Sequence, residues 1–84
     1  WVQSKLRYPQ IAQENGVQGR VVLAFVIEKD GKLTNIEVLQ TPDRSLADEA
    51  VRVLNTSPKW EPGMQQQQAV RVKYTLPVTF TISN

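Results

Sequence analysis

The chain has 84 residues, a net charge of +2 at neutral pH, and neither cysteine nor histidine. This length allows a single domain with one modest core, and 40% hydrophobic and 21% charged residues are typical of a globular protein. Disulfides and thiolate metal sites are excluded, and no run approaches the roughly 20 apolar residues of a membrane span. Because Trp1 is not a start residue, we expect one domain, residues 1–84, that belongs to a longer protein.

Two short helices are predicted at the start of the chain. Val2 and Leu6 lie four residues apart, which predicts that residues 1–7 are the last turns of a helix whose beginning is missing. Pro9 suits the first turn of a second helix, and Gly16 suits the left-handed residue that ends it.

Two strands joined by a tight turn are predicted next. Residues 21–27 carry apolar side chains on both faces, which favours a central strand that is covered on each side. The dipeptide Asp30-Gly31 is a strong hairpin signal, and a second strand is predicted over residues 33–40. We therefore expect these two strands to form an antiparallel hairpin.

A longer helix is predicted after the hairpin. Ser45 can cap its N-terminus, with Asp48 three residues later, and Pro58 ends it. Its apolar stripe consists of Leu46, Ala50, Val53 and Leu54. Beyond the helix, Trp60 is expected to cover the end of the core, where its indole N–H needs a partner. Residues 64–68, Met-Gln-Gln-Gln-Gln, are expected to form a solvated loop.

The last third of the chain has the strongest pattern. From Val70 to Ile82 every second residue is apolar, which predicts one long strand with one buried face. Pro77 cannot donate to a ladder, so we expect this strand at a sheet edge. If Pro77 faces the open edge, the other odd-numbered residues do so too, and the even-numbered residues bond inward. The predicted fold is α+β in the order α-β-β-α-β, with two helices on one face of a three-stranded antiparallel sheet of order 2-1-3.

The chain lacks the side-chain combinations that most enzymes use. Without histidine a serine has no usual base, and the adjacent carboxylates of Asp48 and Glu49 diverge on a helix. We expect no enzymatic activity, no cofactor and no metal site. Nucleic acid is not expected as a partner, because Arg71 and Lys73 are not accompanied by exposed aromatic residues that stack on bases.

An ordered set of short motifs resembles one protein family. The motifs are Tyr8-Pro9, Gly19-Arg20-Val21, Phe25, Asp30-Gly31, Ser45-Leu46 with Glu49-Ala50, residues 59–63 (Lys-Trp-Glu-Pro-Gly) and residues 76–80 (Leu-Pro-Val-Thr-Phe). Together they resemble the C-terminal domain of the TonB family, energy-transducing proteins of Gram-negative envelopes, and look most like members from Bacteroidetes-type bacteria. Glu61 and residues 64–68 depart from that pattern, because relatives tend to carry basic residues and glycine there.

The resemblance implies a periplasmic domain of a protein anchored in the inner membrane of a Gram-negative bacterium. Its partners would be the TonB boxes of TonB-dependent outer-membrane transporters and, through a region upstream of this chain, an inner-membrane proton-channel complex. It would grip the TonB box by adding it as a strand, and would couple the proton motive force to substrate uptake. The candidate partner-binding residues all belong to the last strand: Arg71, Lys73, Thr75, Val78, Thr79, Phe80 and Thr81.

Other roles for the same edge are also considered. The edge strand can pair with a second copy of the chain, so the domain would be a monomer or a weak, strand-swapped homodimer. Alternatively, the domain is a TonB-like interaction or oligomerisation module fused to another envelope protein, such as a sensor or a peptidase. The sequence upstream of this chain decides between these contexts.

Overall fold

Short helices and two antiparallel sheets form the structure, a computed structural model that describes residues 2–82 apart from the side chains of residues 3 and 4. Of the helix predicted over residues 1–7, α1 covers only Val2–Lys5, Trp1 lies outside the described residues, and the missing beginning of the helix stays a prediction. The elements are α1 (Val2–Lys5), α2 (Gln10–Glu14), β1 (Gly19–Ile27), β2 (Leu33–Gln40), α3 (Arg44–Asn55), β3 (Gly63–Gln65), β4 (Gln68–Val70) and β5 (Val72–Phe80). Within the described residues, no helix has the length and apolar composition needed to cross a membrane.

The larger sheet has the strand order β2-β1-β5, with β1 at its centre. Its pairing with β5 is antiparallel and unbroken, from Gly19 opposite Phe80 to Ile27 opposite Val72. Its pairing with β2 is also antiparallel but shifts register twice, and Asn35, with a φ of 53°, lies in the second shift. The α+β class, the 2-1-3 strand order and the antiparallel pairing predicted from the sequence are therefore confirmed.

The core lies between the sheet and the helices. Val21, Leu23 and Phe25 project from one face of β1 and are at most 1% exposed, and β5 adds Val78 and Phe80. The apolar stripe of α3 is the predicted one: Leu46, Ala50, Val53 and Leu54 are all buried. Burial of this stripe holds α3 on the sheet, because removing apolar surface from water stabilises by about 25 cal/mol per Å².

Gly16 ends α2 in the left-handed conformation predicted for it, with a φ of 66°. The Val17 N–H donates to the Ala12 carbonyl at 2.8 Å, and the Gly16 N–H donates to the Gln13 carbonyl at 3.2 Å. These two bonds are the Schellman arrangement, which satisfies carbonyls that the end of a helix leaves open.

The N-terminus of α3 differs from the prediction. Asp43, not Ser45, is the N-cap, and its carboxylate accepts a hydrogen bond from the Ser45 N–H at 3.0 Å. Asp48 is not part of a capping box but lies 3.8 Å from Arg44, one turn away. Two good capping residues stand two positions apart here, so the sequence pattern alone could not select between them.

Residues 64–68 do not form the solvated loop that we predicted. They belong to a β3–β4 hairpin, in which Gly63 lies opposite Val70 and the turn residues Gln66 and Gln67 have φ values of 52° and 68°. The prediction of a single long strand is also wrong at its beginning, because the strand is divided into β4 and β5 at Arg71.

The molecule is elongated, with extents of 49 × 20 × 16 Å.

Candidate functional site

The candidate site is the outer edge of β5. One edge of this strand is fully paired with β1, and within residues 2–82 no strand is paired with the other edge. Pro77 lies in the middle of β5, opposite Val22. Proline is tolerated in a strand where its missing N–H is not needed by a neighbour, which is the position of an edge strand.

The position of Pro77 determines which backbone groups face outward. Because proline has no N–H, an intact ladder requires the Val22–Pro77 pair to be one that is not hydrogen-bonded. The even-numbered residues of β5 then bond to β1, and the odd-numbered residues face the open edge. A hydrogen bond of Ile82 agrees with this alternation of inward-facing even and outward-facing odd residues. The Ile82 N–H points inward and donates to the side chain of Gln18, just before β1, at 3.0 Å.

Some of the predicted partner-binding residues are exposed, and others are buried in the core. The side chains of Lys73, Thr75, Thr79 and Thr81 are exposed, as predicted for odd-numbered positions. Thr79 already takes part in an interaction within the chain. Val78 and Phe80 are 1% and 4% exposed, so their side chains belong to the core. Among the predicted residues, Lys73 and Thr75 therefore combine exposed side chains with a place on the unpaired edge of β5 before Pro77.

Arg71 is occupied by an ion pair. Its Nε lies 2.8 Å from a carboxylate oxygen of Glu28, which directly follows β1. Glu28 also accepts a hydrogen bond from the Thr34 hydroxyl, and this bond is the largest cause of the lowered pKa of Glu28, with a further contribution from Arg71. The ion pair ties the β4–β5 junction to the end of β1, and the predicted partner contact of Arg71 stays a prediction.

Aromatic side chains only partly cover the end of the sheet at which β5 begins. Trp60 packs edge-on against Phe25, with ring centroids 5.3 Å apart, and Tyr74 lies 6.1 Å from Trp60. We expected all even-numbered residues of β5 to be buried, but Tyr74 is 43% exposed. At the other end of β5, Tyr8 packs against Phe80 at 5.5 Å and completes the core there. Coverage from the N-terminal segment thus explains why only one end of β5 is buried.

Trp60 is held by hydrogen bonds at both its backbone and its ring. Its backbone N–H donates to the Gly31 carbonyl at 2.9 Å, and its indole N–H donates to the Ser57 hydroxyl at 3.0 Å. The predicted role of Trp60 in covering the core, with a partner for the indole N–H, is confirmed. The sequence pattern missed the consequence, which is a groove of about 410 Å³ between residues 57–60 and β5.

The N-terminal segment is bonded to α3 and to the loop that precedes β1. The Arg7 N–H donates to Glu49 at 2.6 Å, and the Tyr8 hydroxyl donates to the Val17 carbonyl. Glu49 also pairs with Arg52 at 2.7 Å, and this hydrogen bond is the main reason that the pKa of Glu49 lies below its usual value. Arg7 and Tyr8 therefore join the segment before α2 to the rest of the domain.

These features define a small α+β domain with helices on one face of a three-stranded sheet and an open outer strand on one side. Residues 4–82 match the family described as the Gram-negative bacterial TonB protein C-terminal, and the chain belongs to this family. Domains of this family are non-catalytic, and the membership agrees with the family resemblance of the sequence motifs.

Individual relatives agree with this assignment. The chain is 36% identical over 55 residues to "Protein TonB" of Pseudomonas aeruginosa, and 37% identical over 49 residues to "Protein TonB" of Helicobacter pylori strain J99. These matches cover 66% and 58% of this chain but only 16% and 18% of the relatives. The solution structure of the P. aeruginosa TonB C-terminal domain superposes with a TM-score of 0.77 at 29% identity, covering 98% of this chain and 83% of that one. A solution structure of the H. pylori domain (residues 194–285) gives a TM-score of 0.66 at 28% identity, covering 95% and 84%.

Proposed function

We propose that this chain is the partner-binding domain of a TonB-type energy transducer, and that an extended segment of an outer-membrane transporter, the TonB box, adds to β5 as a further strand. The whole protein would be anchored in the inner membrane, with this domain in the periplasm. It would couple an inner-membrane proton-channel complex to substrate uptake through the outer membrane. The observation that carries the proposal is the open edge of β5 with Pro77 at its centre.

The backbone groups available to the guest strand follow from the parity of β5. Lys73 and Thr75 direct both their N–H and C=O groups outward, and Pro77 directs a C=O outward but has no N–H. A guest strand would therefore bond to the region of Lys73 to Pro77. This region contains Lys73 and Thr75, two of the predicted partner-binding residues, whereas the predicted Thr79 and Thr81 lie beyond Pro77, and Thr79 already has an interaction within the chain.

Main-chain bonding suits a domain that serves several transporters. Backbone hydrogen bonds depend little on the guest sequence, and each contributes only about 0.5–1.5 kcal/mol net. Association itself costs roughly 4–15 kcal/mol in lost freedom, so a few such bonds give a weak complex that releases readily. Weak binding is consistent with a transducer that must engage and leave its partner repeatedly.

A substitution at Thr75 tests the proposal. Thr75→Pro removes one outward N–H, and we expect it to weaken TonB-box peptide binding by between about twofold and tenfold. Thr75→Val keeps the N–H and the branched shape, so it should bind like the parent. The measurement is a titration of the isotope-labelled domain with peptide, in which amide shifts are followed along the chain.

Two outcomes would contradict strand addition at this edge. If Thr75→Pro prevents folding, the Thr75 N–H bonds inward and the parity is reversed. If the peptide shifts amides of β2 rather than those of Lys73 and Thr75, the guest binds at the opposite edge of the sheet.

A further inference from the structure

The β3–β4 hairpin, residues 63–70, continues the line of the main sheet, and we call it the β3–β4 arm. At the end of the main sheet, Val72 of β5 lies opposite Ile27, the last residue of β1. The next residue on each side is Arg71 and Glu28, and these two are joined by the ion pair described above. The antiparallel register therefore continues past the end of β1 toward the arm.

The turn of the β3–β4 arm determines which of its backbone groups bond within the hairpin. Gln66 and Gln67 form a two-residue turn in which both φ values are positive. In a hairpin with such a turn, the residues on either side of it, here Gln65 and Gln68, exchange both of their backbone hydrogen bonds. Because the pairs alternate along an antiparallel ladder, the backbone of Ala69 points away from β3.

The open edge of β5 therefore continues along β4. Even-numbered residues bond inward in both strands, to β3 in the arm and to β1 in the main sheet, and odd-numbered residues such as Ala69 and Arg71 face outward. In the part of the chain that the structure describes, no strand pairs with this side of β4, and the backbone of Arg71 forms no hydrogen bond with another backbone group. From Ala69 to Pro77 the open edge spans about 27 Å, twice the distance from Lys73 to Pro77.

We propose that the guest strand extends beyond Lys73 onto the β3–β4 arm, where it bonds to the backbone of Arg71 and Ala69. This inference rests on the strand addition proposed above. The occupant of the arm is the continuation of the same transporter segment, because the open edge is continuous and a strand that stays extended past Lys73 reaches Arg71 and Ala69 next. Residues 63–70 carry no charge, so this part of the contact places no demand on the charge of the guest.

The β3–β4 arm itself gains from an added strand. Its base is packed closely against β5, since a Cβ atom on Gly63 would overlap the side chain of Val72. Its tip is strained, because Gln66 and Gln67 adopt the left-handed conformation without being glycine. A hairpin of two strands is marginally stable, whereas three strands support one another. We therefore expect the guest to slow amide exchange within the hairpin as well as along its open edge.

The experiment compares three peptides on the isotope-labelled domain: a TonB-box peptide, the same peptide with four threonines added at its N-terminus, and the same peptide with four threonines added at its C-terminus. The two longer peptides have equal composition, and a guest that runs in one direction along β5 brings only one of them onto the arm. We expect that peptide to bind several-fold more tightly than the short one, because each added hydrogen bond is weak and each added residue loses backbone freedom. It should also shift the amides of Ala69 and Arg71 and slow their exchange.

Two proline variants of the arm form a matched pair. Ala69 and Met64 lie opposite each other, and their N–H groups point to opposite edges of the hairpin. Ala69→Pro removes the N–H on the guest side, so we expect it to remove most of the advantage of the longer peptide and to leave the binding of the short peptide unchanged. Met64→Pro removes the N–H on the far side and should keep the advantage. If either proline unfolds the hairpin, the comparison of the three peptides on the unaltered domain still decides the question.

The possible outcomes separate this inference from the proposed function. Equal affinity of the three peptides, with shifts at Lys73 and Thr75 but none at Ala69, would overturn the extension onto the arm and leave strand addition standing. A gain in affinity that is accompanied by shifts at Met64 in place of Ala69 would also overturn it, because the guest would then lie on the far side of the hairpin. If no peptide shifts the amides of β5, strand addition fails and this inference fails with it.

Discussion

Gly31→Ala is predicted to be strongly destabilising, because this glycine of the β1–β2 turn packs closely against the backbone of Trp60. Gly31 has a φ of 89°, and a Cβ atom there would lie 2.4 Å from the Trp60 carbonyl oxygen and 3.1 Å from the Lys59 Cβ. The left-handed conformation costs alanine about 1–2 kcal/mol. Relief of the clash requires the Trp60 backbone to move, and loss of its bond to Gly31 costs about 0.5–1.5 kcal/mol more. The total of about 2.5 kcal/mol should lower Tm by roughly 10–20 °C.

Gly16→Ala is the matched control for this measurement. Gly16 also has a positive φ, of 66°, but a Cβ atom there would meet nothing within 4 Å. It should therefore incur only the conformational cost of about 1–2 kcal/mol. Thermal and guanidinium unfolding of both variants, followed by circular dichroism, gives the comparison. If Gly31→Ala is no more destabilising than Gly16→Ala, the packing of the Trp60 segment on the turn is not as described.

Three further changes test other parts of the structure. The pKa of Glu49 is lowered in the folded state, so ionised Glu49 stabilises the fold above about pH 4.5, and this stabilisation is lost as the pH falls through the folded-state pKa. Glu49→Gln should therefore lower the free energy of unfolding by about 1 kcal/mol at pH 7. It should also make the stability of the domain depend less on pH in acid titrations. Asp43→Ala should lower the midpoint of urea unfolding and Ser45→Ala should lower it clearly less, whereas the reverse order would make Ser45 the cap. Replacing the turn residues, Gln66→Asn with Gln67→Gly, should raise the free energy of unfolding by about 0.5–1 kcal/mol, and an unchanged Tm would count against the left-handed turn.

Most of the main sheet could be predicted from the sequence because its signals are local. Alternation of apolar residues, the Asp30-Gly31 turn and Pro77 each act within a few positions, and β2 was predicted with its observed bounds. The β3–β4 hairpin could not be predicted in this way. Its turn residues, Gln66 and Gln67, adopt the left-handed conformation without the glycine, asparagine or aspartate that normally marks such a turn.

The site was only partly predictable, because its shape depends on contacts between distant parts of the chain. The parity of β5 follows from Pro77 alone, and the exposure of Lys73 and Thr75 agrees with it. The groove depends instead on the bond from Trp60 to Gly31, which joins residues 29 positions apart, and no periodic pattern carries that information. The exposure of Tyr74 likewise depends on where the N-terminal segment covers the sheet.

The central claim, that β5 has an open edge which accepts a guest strand, can be tested most directly by amide hydrogen exchange of the labelled domain with and without a TonB-box peptide. In the free domain, the amides of Tyr74 and Leu76 should be protected by β1, and those of Lys73 and Thr75 should exchange rapidly. The peptide should slow exchange at Lys73 and Thr75 and leave Tyr74 and Leu76 nearly unchanged. Protection of Thr75 in the free domain, or rapid exchange at Thr75 in the saturated complex, would contradict the account.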